Sequence, residues 1–138
     1  MRKQILFLCT HNSCRSQMAE ALTNHFLGDR FRAYSAGTEA TRVNPLAIKV
    51  LIELGIDTAY LRSKTIDEFA GQAFDHVVTL CGDVNEKCPL FFGGVERLHR
   101  GFEDPSRCNG SDEEALPEFR RVRDEIKNWI IGYFGGAP

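Results

Sequence analysis

The stretch Gln4–Glu20, QILFLCTHNSCRSQMAE, governs how the rest of the chain is read. Gln4–Cys9 is a short, nearly continuous apolar run, the pattern of a strand buried on both faces of a parallel sheet. The polar stretch Thr10–Ser13 follows. Cys14–Leu27 then brings Met18, Leu22 and Phe26 back at helical spacing, and Gly28 offers a stop. A strand, a short polar loop and a helix in that order open an α/β domain, where ligands bind beyond the carboxyl ends of the strands. Cys9-Thr10-His11-Asn12-Ser13-Cys14-Arg15-Ser16 occupies that place.

Outward from this unit the alternation continues. Arg32–Ala36 is a second strand, ending at Gly37. Asn44-Pro45 is a cap with a first-turn proline, followed by the stripe Ala47, Val50, Leu51, Leu54 and a terminating Gly55. Thr65-Ile66-Asp67-Glu68 has the capping-box pattern and predicts a third, shorter helix through about Ala73. Val77–Leu80 is another apolar strand and Val95–His99 a fourth. Leu116, Phe119, Val122, Ile126, Trp129, Ile130 and Tyr133 mark a C-terminal amphipathic helix. No repeat, low-complexity tract or linker interrupts the pattern. The expected fold is a single α/β domain over residues 1–138, a three-layer sandwich with a central four-stranded parallel sheet flanked by helices.

Composition excludes several classes. With 138 residues, 43% hydrophobic and 26% charged, the chain has globular proportions and can bury a core without covalent staples. No apolar run approaches the roughly 18 residues of a membrane span. MRKQILFLCT has too short an apolar stretch for a signal peptide, so a cytoplasmic location is expected. The net charge of -2, from 17 basic and 19 acidic residues, gives no global attraction to nucleic acid. A monomer is expected, because no long exposed apolar stripe is visible. Five cysteines cannot pair completely within one chain. With no C-x-x-C and no histidine pair at ligand spacing, zinc is disfavoured and reactive thiols lead.

The chemistry gathers on the first loop. A loop of this length, with five residues between Cys9 and Arg15, can curl so that backbone N–H groups point at one oxyanion beside a helix N-terminus. Thr10, His11, Asn12, Ser13, Cys14, Arg15 and Ser16 form that cradle, and the Arg15 fork matches two oxygens of a tetrahedral anion. Those groups favour Cys9 as a thiolate nucleophile, with Ser16 donating to its sulfur. The bland alternative, a small buried residue ending a strand, explains Cys9 but not Arg15 at this interval.

C-x5-R-S directly after the first strand resembles the low-molecular-weight tyrosine phosphatase fold. The longer string CTHNSCRSQMAE (Cys9–Glu20) is similar to the arsenate reductases built on that fold. The likeness continues through Tyr34-Ser35-Ala36-Gly37, Asn44-Pro45, Val77-Val78-Thr79-Leu80-Cys81, Asp104-Pro105 and Phe119–Ile126 (FRRVRDEI), nearly the whole chain. It implies that Asp104 is the general acid, a role that Asp-Pro alone leaves balanced against a turn-capping aspartate. Glu103 is adjacent but projects differently. Cys81 and Cys88 flank a polar segment past the Val77–Leu80 strand, at the sheet edge that carries Cys9. On an intact helix they would lie about 10 Å apart, too far to bridge, so the segment must loop out to pair them. The resemblance makes them resolving thiols. It implies a Cys9–Cys81–Cys88 disulfide relay that turns arsenate into arsenite, regenerated by thioredoxin or glutaredoxin, with no metal or organic cofactor. Arsenic detoxification follows from the resemblance alone. Cys14 and Cys108 are read as bystanders.

Some members of this family hold a potassium ion behind the loop, on an Asn, a Glu, a Ser and an Asp. Asn12, Glu20 and Ser35 fall on the first three positions, but Lys64 falls on the fourth. A lysine cannot ligate a cation, so Lys64 is expected to replace the ion, and activity to be independent of potassium. His11 stands where glycine is frequent and is given no role. The competing reading is a low-molecular-weight protein tyrosine phosphatase using Cys9, Arg15 and Asp104 alone. Against it, Ser106-Arg107-Cys108 follows the Asp-Pro where such phosphatases place aromatic residues, although weak activity on small aryl phosphates is expected. A non-catalytic anion-binding module would keep the loop but need no acid.

Overall fold

A computed structural model describes residues 2–82, 93–107 and 110–135. Among the described residues the strands and α-helices follow one another as β1 (Lys3–Cys9), α1 (Arg15–Phe26), β2 (Phe31–Gly37), α2 (Pro45–Ile52), β3 (Phe74–Cys81), β4 (Gly94–Phe102) and α3 (Asp112–Phe134). The strands form one parallel sheet in the order β2-β1-β3-β4. The expected α/β architecture is therefore present, with each strand a residue or more longer than its apolar stretch suggested.

Burial on both faces explains the continuous apolar run of β1. Ile5 and Phe7 join a core built with α1, α2 and α3, whereas Leu6 and Leu8 face a smaller cluster with Phe69, Phe74 and Val77. The three layers are unequal. All three α-helices pack on one face, and among the described residues the other face is covered chiefly by the segment containing Ile66 and Phe69.

That segment corrects one expectation. The capping-box pattern at Thr65 does not open a helix through Ala73; residues Ile66–Phe69 make a single 3-10 turn. Thr65 makes no side-chain cap, and its backbone bridges Gly37 as an extra strand-like contact. The Glu68 carboxylate, which would have completed the box, is held by both Arg62 Nη atoms at 2.7 Å. By contrast, Asn44 caps α2 by accepting from Leu46 N at 2.9 Å, ahead of Pro45. Gly55, at φ +77°, leaves that helix in the left-handed conformation that favours glycine.

The register places the functional ends together. Cys9 pairs with Gly37, and Cys81 with Phe102 after an irregularity following Thr79. The carboxyl ends of all four strands thus meet at one edge of the sheet, below the N-terminus of α1.

Candidate active site

The loop between β1 and α1 is held in shape from outside. The carbonyl oxygen of Thr10 accepts from Glu39 N at 3.1 Å, and that of His11 from Ser63 Oγ at 3.1 Å. The carbonyl of Asn12 accepts from Gln17 Nε2 and that of Ser13 from Asn44 N, both at 3.0 Å. In a trans peptide the C=O of one residue and the N–H of the next point in opposite directions. Four carbonyls engaged from outside therefore turn the N–H groups of His11, Asn12, Ser13 and Cys14 towards the hollow of the loop. A concavity of N–H groups beside a helix N-terminus is an oxyanion site.

Gly37 makes this curl possible. A Cβ there would lie 2.7 Å from the Thr10 carbonyl oxygen and 2.8 Å from Asn12 N. Asn12 adopts φ +49°, the only positive value at a non-glycine among the described residues. Its short amide side chain suits that conformation, and its bonds fix it there. Asn12 Oδ1 accepts from Lys64 N at 2.8 Å and Gln17 Nε2 at 2.9 Å, so Nδ2 faces Ser16 Oγ, 2.7 Å away. Ser16 Oγ lies 2.8 Å from Cys9 Sγ. Because the hydroxyl oxygen already accepts from Asn12, its proton is left to point at the sulfur. Cys9 is a buried free thiol.

Arg15 is buried as the first residue of α1. Its Nη1 donates to the Phe102 carbonyl at 3.2 Å, and its Nη2 lies 3.8 Å from Asp104 Oδ2. Asp104 Oδ1 accepts from Ser106 N at 3.0 Å and Ser106 Oγ at 2.6 Å, which orients the carboxyl over the loop. Cys9, His11, Ser13, Cys14, Arg15, Asp104 and Ser106 line one narrow pocket. Cys9, Arg15 and Asp104, the candidate nucleophile, cation and acid, which the sequence separates by up to 95 positions, thus share a single cavity. Glu103 turns away, as expected, to pair with Arg121 at 3.0 Å.

Cys14 lines the same pocket but differs chemically. Burial, aided by the nearby charges of Asp104 and Cys9, pushes its thiol up to about 12. A thiol so raised stays neutral and unreactive at physiological pH. His11 is exposed at the rim, its Nε2 3.9 Å from Glu39 Oε2.

Behind the loop, Ser35 Oγ donates to Glu20 Oε1 at 2.6 Å, and Lys64 Nζ lies 3.7 Å from the same oxygen. The Lys64 ammonium also donates to the Arg62 carbonyl at 2.8 Å. Both partners are buried, at 5% and 7% exposure. Burial pushes the Glu20 carboxyl up, with Lys64 and Ser35 opposing, and it pulls Lys64 down against the attraction of Glu20. Among the described residues no cluster of metal-ligating side chains is present.

Cys81 is buried at the end of β3 and is disulfide-bonded. Cys88 and Cys108 lie outside the described residues. Gly82 follows Cys81 with no room for a side chain: a Cβ would collide with the Phe102 carbonyl oxygen, the same oxygen that receives Arg15.

Gln17 is the residue that sequence reasoning missed. It is fully buried and holds three carbonyl oxygens, yet a lone glutamine beside a core methionine carries no spacing signal.

Residues 4–135 match the family model described as low molecular weight phosphotyrosine protein phosphatase. The chain is 53% identical over 125 residues to an arsenate reductase of Halalkalibacterium halodurans, covering 91% of this chain and 90% of that protein. Its fold superposes on a solved arsenate reductase in the phosphate binding state with a TM-score of 0.81, at 32% identity and over 99% of both chains. A thioredoxin-dependent arsenate reductase of Corynebacterium glutamicum is also similar, with a TM-score of 0.63 at 30% identity over 94% of this chain and 62% of that one.

Proposed function

This chain belongs to the low molecular weight phosphotyrosine protein phosphatase family, and within it we propose that the chain is an arsenate reductase working through its own thiols. The observation that carries this reading is the end of β3: Cys81, a second sulfur, stands at the sheet edge that bears the Cys9 oxyanion loop. Phosphate-ester hydrolysis has no use for that sulfur, whereas reduction requires one.

The loop N–H groups and Arg15 hold the arsenate oxygens while the Cys9 thiolate attacks arsenic. Asp104 delivers the proton to the departing oxygen, which leaves as water. A Cys81 thiol then attacks Cys9 Sγ. The sulfur–arsenic bond breaks with its electron pair on arsenic, As(V) becomes As(III), arsenite departs, and a Cys9–Cys81 disulfide remains. Cys88 attacks Cys81, which frees Cys9 as a thiolate and leaves a Cys81–Cys88 disulfide for an external dithiol. A disulfide at Cys81 beside a free Cys9 is consistent with the end of that sequence.

The reductant is thioredoxin, with glutaredoxin the alternative. The enzyme acts as a monomer in the cytoplasm, where reducing systems keep such thiols cycling. It needs no cofactor; the burial of the Lys64 ammonium against Glu20 supports its standing where relatives hold potassium. Among the described residues no helix is long and apolar enough to cross a membrane. Cys9, Arg15 and Asp104 alone also suffice for slow aryl-phosphate hydrolysis, expected as a side activity.

The test is arsenate-dependent NADPH oxidation with thioredoxin and its reductase. Wild type turns over, and Cys81→Ser and Cys88→Ser both abolish turnover. No arsenate turnover, with aryl-phosphate hydrolysis untouched by either substitution, would make the chain a phosphatase.

A further inference from the structure

Gln17 is the third residue of α1 and is completely buried. A side chain at this position points back towards the helix N-terminus, where it ordinarily serves the N-cap. Here it passes Cys14, which has no side-chain cap, and reaches the loop. Its Nε2 lies 3.0 Å from the Asn12 carbonyl oxygen, 2.9 Å from Asn12 Oδ1 and 2.8 Å from the Arg62 carbonyl oxygen. Two amide hydrogens thus serve three oxygens. The opposite orientation would set Gln17 Oε1 against all three, so the amide direction is fixed. The cost is visible: Oε1 is buried with no hydrogen-bond partner among the described residues.

We propose that Gln17 is a positioning residue for oxyanion binding: by holding the Asn12 carbonyl outward it keeps the Ser13 N–H turned into the cradle. The other outward carbonyls are held by Glu39 N, Ser63 Oγ and Asn44 N, groups of neighbouring loops. The Asn12 carbonyl is held by a side chain of the helix itself, at the one left-handed non-glycine residue of the loop. Released, that peptide can rotate and present an oxygen to the anion where a donor now stands. The same amide, through Asn12 Oδ1, also orients the Asn12–Ser16–Cys9 series of hydrogen bonds. This inference deepens the reading of the loop as an arsenate site and rests on its binding an oxyanion.

The experiment uses the full-length reduced protein with Gln17→Met, which keeps the length and volume of the side chain but removes the donor. Gln17→Asn, which keeps the amide but falls short of the loop, is the second variant. Inorganic phosphate is titrated as a protectant of Cys9 against iodoacetamide, with folding checked by circular dichroism. Arsenate kinetics are measured in parallel. Gln17→Met should need about tenfold or more phosphate for half-protection, with the arsenate KM raised in proportion and kcat changed less. Gln17→Asn should be weakened too, to a smaller degree. A folded Gln17→Met with wild-type protection and KM would reduce Gln17 to a space filler and overturn the proposal. If Gln17→Met does not fold, wild-type protection in Gln17→Asn overturns it equally. Failure of phosphate to protect the wild type would remove the oxyanion site and this inference together. Wild-type protection without arsenate turnover would instead sink the reductase reading alone.

Discussion

Lys64 sits 7% exposed, with its ammonium 3.7 Å from a carboxylate that is 5% exposed. A buried pair of this kind contributes little net stability, because desolvation offsets the attraction; breaking it by removing one partner costs about 3–5 kcal/mol. Lys64→Met and Glu20→Gln should therefore each destabilise the fold in denaturant melts, and the double variant should recover most of the loss. Additive losses would mean that the two groups do not act as a pair. On the proposal that the Lys64 ammonium, held by Glu20 and the Arg62 carbonyl, stands in place of a potassium ion, kcat and KM for arsenate should match in potassium chloride and sodium chloride at equal ionic strength. A difference between the salts would take Lys64 out of this role. Lys64 was legible in the sequence only through alignment to a known cation site. Nothing in Arg62-Ser63-Lys64-Thr65 says that its side chain is buried. That follows from the strap crossing behind the loop, where Lys64 O accepts from Gly37 N at 2.9 Å and Lys64 N donates to Asn12.

The ends of β3 and β4 couple two parts of the site that the chain keeps apart. Phe102 places its carbonyl oxygen where Arg15 Nη1 reaches it at 3.2 Å, and the same oxygen occupies the place a side chain at Gly82 would need. A methyl group at Gly82 would meet backbone atoms, with the Phe102 carbonyl carbon at 2.8 Å, so the β4 terminus must move. Gly82→Ala is therefore expected to weaken oxyanion binding several-fold through Arg15, with the overall fold retained; unchanged phosphate protection of Cys9 would refute it. Strand existence was readable at this scale because β1 and β3 carry mainly apolar runs, Ile5–Cys9 and Val77–Cys81, that are buried apart from the half-buried Thr79. Strand β4 was shorter in the sequence reading because its exposed residues, Glu96, Arg97, His99 and Arg100, mask the periodicity. The capping box at Thr65 misled for a related reason: it records local competence, and Arg62 took the glutamate that would have completed it.

Across the whole molecule, α1, α2 and α3 share one face of the sheet, and arginines of α3 tie it to the end of α2. Arg123, 8% exposed on α3, donates to the Val50 carbonyl at 2.9 Å and to Glu53 Oε1 at 3.0 Å, near the end of α2. Arg120 holds the same Glu53 from the solvent side at 2.7 Å, and together they keep its carboxyl below the ordinary carboxylate range. Arg123→Met should cost about 1–3 kcal/mol by leaving the Val50 carbonyl unpaired inside the protein. Cys9 alkylation and arsenate kcat should not change, since Arg123 and the groups it holds, Val50 and Glu53, do not line the pocket around Cys9. A loss of kcat without a loss of stability would contradict this division. Within Arg120-Arg121-Val122-Arg123, residue type alone does not tell the buried arginine from the two half-buried ones.

By itself, the sequence determined the α/β alternation, the loop with Cys9 and Arg15, and the candidate acid at Asp104. The first two rest on local pattern, namely apolar runs, caps and the spacing of one short motif, whereas the acid role of Asp104 rests on the family resemblance. The tertiary structure alone decided which face the helices share, why the loop carbonyls point outward, and that a buried glutamine holds one of them. These depend on strand register and on chain segments such as 37–44 and 62–65 meeting across the sheet edge. Hydrogen-bond geometry between segments far apart in sequence leaves no periodic trace, so a donor like Gln17 becomes visible only once the chain has closed around it.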